Sequence, residues 1–156
     1  MERAKAELVP ADIRPPAVAS FKRVEKPFGT IEIPDGMGWQ ESGDQVRHPD
    51  GTVITVQTRP GVKPARLDEY LASYDEVQRH DAPKYTARRT TKGQLAGNVA
   101  ARVEGTFDNG TRLITRDYVI ITNRNVVVAV SGRAPSTNGA PLVLLVDYVA
   151  RSVRAK

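Results

Sequence analysis

The stretch from Gly97 to Gly132 constrains the fold more than any other, because it reads as three strands joined by two tight turns. Val99, Ala101, Val103 and Phe107 recur at steps of two or four, with Arg102, Glu104 and Thr106 between them, so one face is apolar and the other polar. Asp108-Asn109-Gly110 supplies residues that tolerate positive φ, as a short hairpin turn demands. A second strand runs from Thr111 to Ile121, and Asn123-Arg124-Asn125 offers another turn. Val126 to Val130 then gives five apolar residues in a row, which predicts a strand covered on both faces.

Two helices are expected around this meander. Leu67, Tyr70, Leu71, Tyr74 and Val77 fall on one helical face, with Pro64 suited to the first turn and His80-Asp81-Ala82-Pro83 ending the helix. Leu142, Leu145, Val146, Val149 and Val153 repeat at three- and four-residue steps behind Pro141, leaving Asp147, Arg151 and Arg154 outside. Ahead of the first helix, strands are expected at Phe28–Ile33, around Trp39 and over Thr52–Thr58; Tyr85–Leu95 is an arginine-bearing edge-strand candidate. The predicted fold class is therefore α+β, an α/β/α sandwich with a largely antiparallel sheet covered by helices on both faces. Residues 1–26, with Pro10, Pro15 and Pro16, are expected to form a flexible tail, and 27–156 a single domain.

No reactive centre emerges from the side chains. The chain has no cysteine, which excludes disulfides, thiolate nucleophiles and cysteine metal sites. His48 and His80 sit in turn or helix-end contexts. Ser131 lacks the first glycine of a nucleophile elbow, and Asp35, Asp44 and Asp50 lack the spacing of a calcium loop. Gly36-Met37-Gly38 is a fragment of a dinucleotide fingerprint, and the sequon at Asn109 is explained by its turn. Neither cofactor nor metal is expected. An enzyme reading would require one cleft to gather several of Asp35, Glu41, Asp44 and His48.

The net charge of +5 raises nucleic-acid binding through Arg88, Arg89, Lys92, Arg112 and Arg116. The basic residues are scattered beside acids, however, and the aromatics Trp39, Tyr70, Tyr74, Phe107 and Tyr118 fall at positions the core needs.

Ile33-Pro34-Asp35 followed by Trp39, the helical Leu67-Asp68-Glu69-Tyr70, then Leu95-Ala96-Gly97-Asn98-Val99-Ala100-Ala101 and Arg112-Leu113-Ile114-Thr115-Arg116 together resemble the PsbP-like superfamily over about Phe28 to Val153. The pattern is similar above all to the LpqN-type bacterial lipoproteins and the DcrB-type chaperones of type VI secretion effectors. The resemblance implies a domain that binds another protein and performs no catalysis. Envelope or periplasmic placement is expected if a leader ending in a lipidated cysteine precedes Met1, and cytoplasmic placement, as an effector adaptor or chaperone, if Met1 is the native start. Ile114, Arg116 and Tyr118, taken as exposed members of the central strands, are the candidate partner-binding residues.

Overall fold

The computed structural model describes residues 6–17, 20–82 and 84–156. Ten strands appear in chain order: β1 (Ser20–Lys26), β2 (Gly29–Asp35), β3 (Gln40–Ser42), β4 (Gln45–Arg47), β5 (Val53–Pro60), β6 (Thr86–Leu95), β7 (Asn98–Asp108), β8 (Arg112–Ile121), β9 (Val126–Pro135) and β10 (Arg154–Ala155). Helix α1 (Leu67–Asp81) lies between β5 and β6, and α2 (Gly139–Arg151) lies between β9 and β10. The strands form a seven-stranded sheet in the order β3-β4-β5-β9-β8-β7-β6 and a three-stranded sheet in the order β1-β2-β10. Every strand pairing in both sheets is antiparallel.

The meander forms where the alternation and turns place it. In the first turn, Asp108 Oδ1 accepts the Gly110 N–H at 2.9 Å, and Gly110 takes φ +107°. In the second, Asn125 takes φ +61° and its N–H donates to the Thr122 carbonyl. β9 is buried from both sides, since Val127 packs into a cluster under α1 while Val128 and Val130 belong to the main core.

That main core lies between the large sheet and a layer made of α2 and the small sheet. It joins Leu142, Leu145, Val146 and Val149 of α2 to Ile31 and Ile33 of the small sheet, to Phe28 in the turn between β1 and β2, and to Ile54, Tyr118 and Ile120 of the large sheet. The apolar stripe expected for α2 is thus realised in full. A hydrocarbon driving force explains the arrangement, because these side chains leave water almost completely.

Two expectations differ from the structure. The first is the flexible tail through Lys26: β1 pairs along its whole length with β2, and Val9 is 1% exposed in the main core, with Leu8 and Ile13 packed beside it. Prolines fit here because the chain needs only short extended pieces. Leu8 N–H donates to the Gln94 carbonyl at 2.9 Å, and Gln94 N–H donates to the Ala6 carbonyl at 3.0 Å, so the segment caps part of the β6 edge. Gly93 makes the approach feasible, since a Cβ there would come within 2.4 Å of the Ala6 carbonyl oxygen. Residues 1–5, 18 and 19 of that stretch lie outside the described residues.

The second difference lies within α1, which covers the other face of the sheet as expected. Helix α1 buries only Leu67 of its own residues, and Val77, expected on its inner stripe, is 55% exposed. The physical reason lies in what the helix meets. Leu67, Tyr70 and Leu71 pack on Ala101, Val119, Ile121 and Val127, but beyond that point β8 and β9 present polar side chains to the helix until Ala82, just past its end, meets Tyr85 and Phe107. Part of this face is therefore left open rather than sealed.

Candidate functional site

The pleat assigns side chains to the two faces. Opposite positions Thr55 and Ser131, Asp117 and Ser131, and Thr115 and Arg133 all project toward α1, as do Val53, Gln57 and Arg59 of β5. β4 adds Gln45 and Arg47, paired with Thr55 and Val53. The result is a polar trench that runs along β5 and β9 beside α1.

Three connected clefts make up this trench. The middle one, of about 350 Å³, lies between α1 and the sheet, and its lining includes Thr55, Gln57, Tyr74, Gln78 and Ser131. It shares Gln45 and Arg133 with a cleft of about 380 Å³ near the β7–β8 hairpin, which Arg47 also lines. At its other end it shares Arg59, Tyr70 and Ser73 with a cleft of about 440 Å³ that reaches Lys63 and Arg66.

Asp117 forms the floor of the site. It is 1% exposed, and its Oδ1 accepts the Ser131 hydroxyl at 2.6 Å. The Tyr74 hydroxyl of α1 reaches the same carboxyl, so the network ties the helix to the sheet where apolar packing stops. Burial pushes the Asp117 pKa up to about 6 from 3.8, against the opposing pull of the Ser131 and Tyr74 hydroxyls, Arg133 and the Gly132 N–H. The same desolvation, followed by the nearby Asp117 charge, raises Tyr74 well above its ordinary value, so it remains a proton donor.

A carboxyl whose folded pKa is raised holds its proton more tightly in the native state than in the unfolded one. The stabilisation is present in full below about pH 3.8 and is lost as pH rises through about 6. The span corresponds to roughly 3 kcal/mol. Asp117→Asn is accordingly expected to remove this slope: urea unfolding from pH 4 to 7.5 should show the variant gaining on the wild type as pH rises. Parallel stability curves would show that Asp117 does not titrate in this window.

Chemically, the trench offers side-chain hydrogen-bonding groups above a hydrogen-bonded floor. A serine nucleophile needs a base that can reach its proton during reaction and N–H donors converging on an oxyanion. Ser131 has its proton committed to a carboxyl shielded from the cleft. The acids and histidine required for an enzyme reading are also apart from it: Asp35 and Glu41 both pair with Lys22, and His48 bonds to the Met37 carbonyl and the Asp50 N–H. None of Asp35, Glu41, Asp44 and His48 lines the trench. Among the described residues no group of three or more His, Asp or Glu side chains is placed to hold a metal ion.

The candidate residues Ile114, Arg116 and Tyr118 lie on the opposite face, under α2. The expectation that they are exposed is corrected for Arg116, 8% exposed, and Tyr118, fully buried; Ile114 is partly buried against the main core. Their even numbering sets them on the α2 side of β8, where Arg116 donates to Asp147 at 2.7 and 3.3 Å and to Glu104 at 2.6 Å. The Tyr118 hydroxyl donates to Asp147 at 2.5 Å. Burial, then the Asp147 carboxylate, push the Tyr118 pKa up to about 12. Asp147, expected outside, turns inward because it supplies the counter-charge this buried guanidinium needs. Ile114 and Arg116 do line a shallow cleft with Arg88, Glu104 and Val143. The scattered basic set does not merge into one patch, for Arg116 is buried and Lys92 sits on the α1 side, bonded to Asp68 at 2.9 Å.

The trench residues escaped sequence reasoning, although a signal was present. Along β9 the α1-facing series runs Val127, Ala129, Ser131, Arg133, and along β8 it runs Ile121, Val119, Asp117, Thr115. Both change from apolar to polar at the same level of the sheet.

No protein-family model matches the sequence, and no curated protein matches it. Solved structures do match in fold. LpqN of Mycobacterium tuberculosis, described as involved in cell envelope biogenesis, aligns at a TM-score of 0.61 and 14% identity over 84% of this chain and 87% of its own. Cyanobacterial PsbP (CyanoP) from Synechocystis sp. PCC 6803 aligns at 0.60 and 14% identity over 90% and 95%. The Saccharomyces cerevisiae Ran-binding protein Mog1p aligns at 0.56 and 16% identity over 88% and 96%. With an antiparallel sheet between two helical layers and alignments spanning most of each partner, the chain has the PsbP-like fold.

Proposed function

We propose that this chain is a non-enzymatic protein-interaction domain, acting at the bacterial cell envelope, that takes its partner on the open α1 side of the sheet. The observation that carries this reading is the trench itself. It is a preformed concave surface on rigid strands, rich in side-chain donors, with its one buried carboxyl withdrawn from contact. Support for a protein partner comes from the shared fold with a Ran-binding protein, and support for the envelope from the shared fold with LpqN. The cleft at Ile114 and Arg116 is a second surface this reading offers a partner, with Tyr118 supporting it from beneath.

The alternative, a cytoplasmic adaptor or chaperone for a secreted type VI effector, calls for a contiguous exposed apolar patch above roughly 400 Å². The large exposed apolar side chains among the described residues are Met37, Val77 and Leu144, on the β2–β3 turn, α1 and α2 respectively. That dispersal favours a polar docking surface.

The test places a photoreactive phenylalanine analogue at exposed Gln57 in the trench and, separately, at exposed Leu144 on α2, in the native host. A discrete protein adduct from position 57, absent from position 144, is expected. Identical adducts from both positions, or none from position 57, would overturn the assignment of the surface.

A further inference from the structure

We infer that the partner segment seated in the trench is an extended, acidic stretch of polypeptide with carboxylates toward its two ends; this rests on the docking surface proposed above. The argument is the placement of charge. Arg47 and Arg133 stand opposite Val53 on the two strands that flank β5, so two cations bracket one end of the trench. Arg59 lies six residues further along β5 on the same face, with Lys63 beyond it. At about 3.3 Å per strand residue, the two cationic ends are about 20 Å apart. Between them lie neutral groups, Thr55, Gln57 and Ser131.

No salt bridge among the described residues neutralises these cations, although Arg133 stands over the Phe107 ring at 5.8 Å and its charge also reaches the buried Asp117. Among the described residues, Arg47, Arg59, Lys63 and Arg133 form no ion pair, and Arg47 spends two donors on the Gln45 amide oxygen instead. Of the acids in the lining, Glu69 is paired with Arg66 at 2.6 Å, and Asp81 sits against His80 at the helix end. Unpaired guanidinium groups in a partly enclosed polar channel favour carboxylates, which they can grip through two parallel N–H bonds. At about 20 Å, the distance between the cationic ends suits an extended chain of roughly six to eight residues running along the strands. A nucleic acid is less well matched. Its bases need exposed aromatic faces, whereas Tyr70 and Tyr74 are stacked on each other with ring centroids 6.4 Å apart.

The experiment measures fluorescence anisotropy of the full chain with four labelled probes at low ionic strength. These are a nine-residue peptide with two glutamates at each end and serine and threonine between, its isomer with the four glutamates at the centre, its lysine counterpart, and a thymidine oligonucleotide. The end-charged peptide should bind best, with the central isomer and the lysine peptide each weaker by about five- to tenfold or more. Arg47→Gln and Arg59→Gln, both at exposed positions, should each weaken it by about fivefold with the melting transition unmoved. Equal binding of the two isomers, indifference to both substitutions, or equally tight binding of the oligonucleotide would overturn the inference. A protein adduct from position 57 with no binding of the end-charged peptide would likewise overturn it, while leaving the docking surface in place.

Discussion

Asp147→Ala should lower the unfolding free energy by about 3–5 kcal/mol, the largest effect expected of any charge removal in this chain. The magnitude follows from what is left behind. Arg116 has a side chain only 10% exposed and is gripped by Asp147 through two bonds, with Glu104 as its other carboxylate. Tyr118 loses its acceptor at the same time. Removing the carboxylate leaves the buried guanidinium with Glu104 alone and the buried hydroxyl without its acceptor, so much of their desolvation is no longer offset. The distinguishing control is the double replacement Arg116→Met with Asp147→Leu, which should recover part of the loss, since apolar substitutes for buried ion pairs are often tolerated and the remaining Glu104 side chain is 31% exposed to water. Urea unfolding monitored by tryptophan fluorescence reads both variants, Trp39 being buried in the main core. A cost below about 1 kcal/mol for the single change would place the cluster among exposed salt bridges and contradict this description.

Gly132→Ala should be nearly as damaging. Its Cβ would come within 2.1 Å of Val146 Cγ2 and 3.1 Å of Leu142 Cδ1, so the added methyl would occupy space that α2 already fills. Gly132 is thus the point of close approach between the helix and the sheet. Overpacking of this kind costs about 1–3 kcal/mol, and here the upper end applies because both neighbours are themselves fully buried. A fall in melting temperature of roughly 6–12 °C should follow for a chain of this size. Val146→Ala in the Gly132→Ala background should relieve part of the strain. If the double variant is less stable than the sum of the two single changes, the proposed contact is not the cause.

These two sites show what a sequence of this kind discloses. The meander was legible because alternation and turn chemistry act locally: Asp108-Asn109-Gly110 needs no distant partner to turn the chain. The α2 stripe was legible for the same reason, since its apolar residues all find one core. Arg116 and Tyr118 were misread because burial of a polar side chain depends on a partner far along the sequence, and Asp147 is 31 residues from Arg116. The N-terminal stretch was misread because its structure comes from strand pairing with β2 and β6, while its own composition reads as extended and proline-interrupted. The polar trench lay hidden because it is a difference between two halves of one sheet face. Only the register that sets Asp117 opposite Ser131, and Thr115 opposite Arg133, reveals it.

The open face also gives meaning to the thin packing of α1. Apolar contacts hold its first turns, and Tyr74 holds its middle through the Asp117 network, so the helix forms one wall of the trench without closing it. The face under α2 holds the main core, and the partly open face under α1 is the one proposed above for docking.

The most direct test of the proposed docking surface and of its charge is the adduct formed from a photoreactive residue at position 57, measured in the native host with and without the charge reversals Arg47→Glu and Arg59→Glu. Loss of the adduct in the reversed chain, with the unfolding midpoint unchanged, is the result this account predicts. An adduct of undiminished yield in the reversed chain would contradict it.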